Sequence, residues 1–206
     1  LERTTHNREV AGSCPASATT AIDVTLPLHN SQMKAVFIDE CKSKKFILVA
    51  VFVDLPRIPE IRKSLMRLRL KGQSRIHFVD ESNPRRKSIV SSLTQHSFET
   101  KFFVSGAAGE AEARRKCLQA MIASLQPNIG YQIWLEFDEN HIALDKTAIS
   151  AAAASLGISQ SIQFTHASAR QQAMLWIPDA LGWIMNRGGD WSHVLSELQH
   201  EVIHVS

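Results

Sequence analysis

The stretch Phe46-Ile-Leu-Val-Ala-Val-Phe-Val-Asp54 is apolar without a break until its closing acid. A strand with one wet face alternates polar and apolar residues, so an unbroken run needs cover on both faces. That requirement excludes a sheet open to water on one side and calls for further layers above and below it. The preceding run, Lys34-Ala-Val-Phe-Ile-Asp-Glu40, is rich in β-formers and ends in two adjacent carboxylates. Between the runs, Cys41-Lys-Ser-Lys-Lys45 has the length and polarity of a hairpin turn. A core strand that delivers an acid to its C-terminal end is how several α/β folds place metal-binding carboxylates. Many strands also end in Asp because the chain meets solvent there.

The rest of the chain alternates helix and strand patterns. Residues 1–30, rich in Ser, Thr and Ala, read as an N-terminal tail or arm, with an added edge strand at 21–28. Residues 31–206 read as one domain. After the hairpin at 33–54, Pro56 and Pro59 bracket a helix start, and Ile61, Leu65 and Leu68 form its buried stripe. A short strand is expected at 75–79, then a polar loop and a helix from Pro84 to about residue 96, capped by Asn83. Further strands are expected at 101–104, 131–137 and 161–165. Helices are expected at 110–125, 143–156, 173–187 and 191–202, the last two separated by Gly188-Gly189. The class is α/β, a mixed sheet opened by an antiparallel hairpin with helices on both faces.

A formal charge of +3 over 206 residues does not by itself mark a nucleic-acid binder. No apolar run approaches the roughly 18–20 residues of a membrane span. Cys14, Cys41 and Cys117 lack metal-ligand spacing and are odd in number, the pattern of a reduced, cytoplasmic thiol set.

Acids recur at the ends of elements. Asp39 and Glu40 end the first strand, and Glu136 and Asp138, two apart at the end of a later one, are expected to project on one side of the sheet. Asp179 lies within Met174-Leu-Trp-Ile-Pro-Asp-Ala-Leu-Gly-Trp183, where a lone carboxylate is costly to bury without a partner. Helix capping, with Pro178 as first helical residue, explains it equally well and is compatible with a second role. An acid on an early strand, acids on a later strand and an acid on a late helix are the layout of a two-metal phosphodiesterase site, and oxygen donors suit Mg²⁺ or Mn²⁺. His77, between Ile76 and Phe78, fits either a structural imidazole or a phosphate contact and proton shuttle. Arg62, Lys63, Arg67, Arg69, Arg75, Arg85 and Arg86 crowd one third of the chain, as a polyanionic substrate would require or as a solvated helix face would show.

Four blocks carry a family resemblance: Phe37-Ile-Asp-Glu40 with its following strand, Arg75-Ile-His-Phe-Val-Asp-Glu-Ser-Asn-Pro-Arg-Arg86, Leu135-Glu-Phe-Asp138, and Leu175-Trp-Ile-Pro-Asp-Ala-Leu-Gly-Trp183. In this order they resemble the "domain of unknown function 3800" family, in its actinobacterial-type branch. The resemblance spans residues 33 to 192 and implies an RNase H-like fold and a metal-dependent nuclease. By the same likeness, Asp39, Glu40 and Asp179 match the family's acidic positions and His77 its histidine. Glu136 matches better than Asp138, and Cys41 departs from the usual Ser or Gly. The expected centre is thus Asp39, Glu136 and Asp179, with Glu40 and Asp138 as auxiliaries and nucleic acid as substrate. Two other readings remain: a non-catalytic module that binds nucleic acid or protein on the same scaffold, and a structural homodimer formed through Trp183 and Trp191.

Overall fold

The computed structural model describes residues 33–42, 45–107 and 109–206, so the expected tail and its edge strand at 21–28 lie outside the described residues. Strand β1 (Met33–Lys42) pairs antiparallel with β2 (Phe46–Asp54), Asp39 lying opposite Val49. A turn of 3-10 helix leads into α1 (Ile58–Leu68), which buries Ile61 and Leu65 and turns its charged face outward. Next come α2 (Asn83–Leu93), β3 (Glu99–Ser105), α3 (Glu110–Ala123), β4 (Gly130–Glu136), α4 (Ile142–Ser155) and β5 (Ile162–Ala167). A 3-10 turn at Ala173–Leu175 runs into α5 (Trp176–Arg187). The chain closes with α6 (Ser192–Ser196) and β6 (Gln199–Val205).

The six strands lie in the order β5-β4-β1-β2-β3-β6. The hairpin sits at the centre, which is why the run in β2 has no polar face. β3 pairs antiparallel with β2, whereas β4 runs parallel to β1, β5 to β4 and β6 to β3. Alternation along β1 and β2 feeds two separate cores. Phe37, Val49 and Val51 pack beneath α1, α2, α5 and α6. Val36, Ile38 and Leu48 pack beneath α3 and α4.

Two expected elements are corrected. Residues 75–79 form no strand: a bend at Arg75 and extended backbone at His77 lead into one 3-10 turn, Phe78–Asp80. The alternation there is real, because Ile76 and Phe78 are buried, but side chains take the place of a partner strand. Asp179 accepts the Phe78 N–H at 2.9 Å, and Arg86 donates to the carbonyls of Phe78 and Val79 at 2.9 and 2.6 Å. The helix expected at 191–202 is five residues long and gives way to β6. There β-branched Val202, Ile203 and Val205 pair with β3, whose outer backbone would otherwise be an unpaired edge.

Candidate functional site

Parallel pairing sets β4 beside β1 with Phe37 level with Trp134 and Ile38 with Leu135, so the next residues, Asp39 and Glu136, arrive together at the C-terminal edge of the sheet. Each comes two residues after a side chain of the α5-side core, Phe37 and Trp134, so both face that side. Helix α5 brings Asp179 onto the same face, and it lies close to the sheet because of one small residue. A Cβ on Gly182 would stand 3.2 Å from the Cys41 Cβ and 3.3 Å from a Val49 methyl. Pro178 is the third residue of α5 rather than the first, and Asp179 holds the Phe78 loop with its Oδ2 instead of capping its own helix.

The Asp39 carboxyl is held well above the usual carboxylate range by burial first, then by repulsion from Glu136, Glu40 and Asp179. Burial also raises Asp179, helped by Glu136 and opposed by the Phe78 N–H, His77 and Arg75. The Cys41 thiol, under α5, is raised by burial and by the same two aspartates, which disfavours its thiolate. Asp39 Oδ1 accepts the Glu40 N–H at 2.8 Å, and Glu136 Oε1 accepts Arg75 Nη1 at 2.8 Å. Among the described residues, Asp39 Oδ2, Glu136 Oε2 and Asp179 Oδ1 receive no hydrogen bond. His77 Nδ1 lies 2.8 Å from Asp80 Oδ2. A cleft of about 420 Å³ opens over Asp39, Glu40, Glu136 and Asp138, with half-exposed Phe137 in its wall. A larger groove of about 580 Å³ lies between α2 and α6 and contains none of these acids.

Glu40, one residue on, points to the other face of the sheet. Its Oε2 accepts Arg114 Nη1 at 2.6 Å, and its Oε1 lies 3.2 Å from Lys42 Nζ. Arg114 forks onto Asp145 through Nε at 2.7 Å and Nη2 at 2.9 Å, and His166 Nε2 donates to Asp145 at 2.8 Å. Arg114 and Asp145 are 1% and 0% exposed. Burial works against the Arg114 charge, but Asp145 and Glu40 more than restore it.

Asp138 does not share a side of the sheet with Glu136 as expected, because β4 stops at Glu136 and the chain turns. Asp138 accepts the Asn140 N–H at 3.0 Å and lies 2.9 Å from His141 Nδ1. Glu40, Asp138 and His141 have ligand atoms within 4.8 Å of one another, the one such group among the described residues. Asp39, Glu136 and Asp179 share a face without being gathered that closely. His141 was not among the expected residues; its signal is an Asp-x-x-His spacing across a turn. Arg114, Asp145 and His166 were missed as well, being far apart in sequence.

Of the seven basic residues, Arg62, Lys63, Arg67 and Arg69 are exposed on the outer side of α1 and its end. Arg75 sits in the site, Arg85 donates to buried Glu81, and Arg86 packs 4.4 Å over the Trp183 ring. Trp183, Trp191 and Phe78 stack edge to face within the chain, so the rings expected to join two copies are engaged internally. No described helix is long and apolar enough to cross a membrane.

No family model matches the sequence, and no curated protein matches it. Among solved structures, the chain is similar to ribonuclease H2 from Pyrococcus horikoshii OT3, at 13% identity and a TM-score of 0.50 over 75% of this chain and 72% of that one. Bst-RNase HIII is also similar: a point mutant at 12% identity and TM-score 0.42, covering 91% of this chain and 61% of that one. Its Mn²⁺ complex matches at 11% identity and TM-score 0.39, covering 76% of this chain and 54% of that one. The ribonuclease H2 likeness, with the mixed six-stranded sheet, makes the fold RNase H-like α/β. The four-block resemblance agrees with this at the level of fold.

Proposed function

We propose that the chain is a metal-dependent nuclease whose centre is built by Asp39, Glu136 and Asp179. One observation carries the reading: the parallel pairing of β1 with β4 brings half-buried Asp39 and Glu136 to one face at the end of the sheet, where Asp179 of α5 joins them, a concentration of negative charge that a cation would relieve. The donors fit Mg²⁺ or Mn²⁺, since all are carboxylate oxygens and each residue keeps one oxygen free of hydrogen bonds among the described residues. Such an ion supplies an activated water and a polarised phosphoryl oxygen. Arg75, fixed on Glu136, offers remaining donors to a scissile phosphate. His77, tied at Nδ1 to Asp80, keeps Nε2 for proton transfer to or from the substrate. The exposed basic side of α1 gives a polyanion a place to lie.

The experiment is cleavage of labelled DNA, RNA and RNA–DNA hybrid with Mn²⁺, Mg²⁺ or EDTA. Cleavage that requires the metal and disappears in Asp39→Asn is expected; cleavage retained in that variant sinks the assignment. The Arg75–Glu136 ion pair, which already neutralises one acid, favours a second reading as a non-catalytic binding module. Calorimetric titration with Mn²⁺ separates the two, since the module takes up no ion at the acidic face.

A further inference from the structure

Two adjacent acids on β1 meet opposite fates. Asp39 keeps an open oxygen on the face it shares with Glu136 and Asp179. Glu40 has both oxygens engaged by protein cations, Oε2 by Arg114 and Oε1 by Lys42. The arginine is not a passing contact. It is 1% exposed and pinned by a two-pronged bond to Asp145, which His166 holds in turn. The only described group with ligand atoms gathered as a metal needs, Glu40 with Asp138 and His141, is met by the same charges. Lys42 Nζ lies 2.6 Å from Glu110 Oε1, which in turn is 3.3 Å from His141 Nε2. A divalent ion bound to Glu40 would have to sit beside a fixed guanidinium and an ammonium, both of which repel it.

We infer that the centre binds a single divalent ion, at Asp39, Glu136 and Asp179, and that Arg114 and Lys42 occupy in charge the place of a second. This rests on the reading of the site as a metal centre and replaces the two-ion arrangement expected from the sequence. Glu40 is then no ligand. It is a positioning residue, anchoring the end of β1 to α3 so that Asp39 is presented on the opposite face.

Mn²⁺ alone is the probe, titrated into the full chain at neutral pH, with free ion followed by electron paramagnetic resonance and heat by calorimetry. One tight ion is expected in the wild type and none in Asp39→Asn. Glu40→Gln, whose amide oxygen still accepts from Arg114, is expected to hold one ion within about threefold of wild-type affinity, the change being a screened charge effect. Loss of a true ligand should exceed the roughly 10–100-fold typical of supporting groups. Two tight ions in the wild type, or an affinity loss beyond about 100-fold in Glu40→Gln, overturn the single-ion centre while leaving a metal site in place. No ion in the wild type removes the metal centre itself.

Discussion

Replacing Arg114 with Met tests the buried network most severely. The guanidinium makes contacts of 2.6, 2.7 and 2.9 Å to two carboxylates, and Asp145 is wholly inside the protein. Met fills similar space but leaves the Asp145 charge with His166 alone, and breaking a buried pair from one side costs about 3–5 kcal/mol. At roughly 2–4 °C per kcal/mol for a chain of this size, the melting temperature should fall by about 6–20 °C. Removing the opposite charge as well, in Arg114→Met with Asp145→Leu, should recover most of the loss, because a well-packed apolar pair is often neutral or better than an ion pair. Thermal and urea unfolding followed by circular dichroism read both variants. A single variant within about 1 kcal/mol of wild type, or a double variant no better than the single, would refute the idea that Asp145 depends on this arginine.

Other outcomes follow from the same geometry. Gly182→Ala puts a methyl group 3.2 Å from Cys41 and should cost about 1–3 kcal/mol, weakening Mn²⁺ binding as Asp179 shifts away from β1; unchanged unfolding and affinity would show that α5 has slack. The raised Asp39 carboxyl makes the folded state bind its proton more tightly than the unfolded chain does. Its stabilising contribution is therefore complete below about pH 4 and is lost as pH rises through the raised value. Metal-free wild type should accordingly lose melting temperature relative to Asp39→Asn between acid and neutral pH, and parallel curves would contradict the repulsion. Neutralising Arg62, Lys63, Arg67 and Arg69 together should weaken nucleic-acid binding and flatten its salt dependence. The slope should fall by roughly 0.7–0.9 for each phosphate these side chains no longer neutralise, as read by fluorescence anisotropy.

The hairpin, the acids at strand ends and the late apolar helix were legible because each leaves a local mark. An unbroken apolar run needs two covers, and an acid amid tryptophans needs a reason. What stayed hidden depends on contacts between distant segments. Nothing local separates Arg114 from its neighbour Arg115: both stand in one Arg-Arg-Lys run, yet Arg115 pairs with Glu112 at the surface while Arg114 reaches Asp145, 31 residues on. Asp145, within a small-residue helix, reads as a solvated acid until that arginine arrives. The segment at 75–79 had a strand's alternation, but pairing is decided by whether a neighbouring backbone is free, and here Asp179 and Arg86 took its groups. β6 was obscured by Glu201 and His204 among its apolar residues, an edge strand's mixture that also fits a surface helix.

The most direct measurement is the melting temperature with and without Mn²⁺, in wild type and in Asp39→Asn. Without metal the variant should melt higher, because the carboxylate repelled by Glu136, Glu40 and Asp179 has been neutralised. At 100 times the dissociation constant, Mn²⁺ should stabilise the wild type by about 2.7 kcal/mol and leave the variant unmoved. Equal stabilisation of both proteins, or of neither, would contradict a metal centre at Asp39.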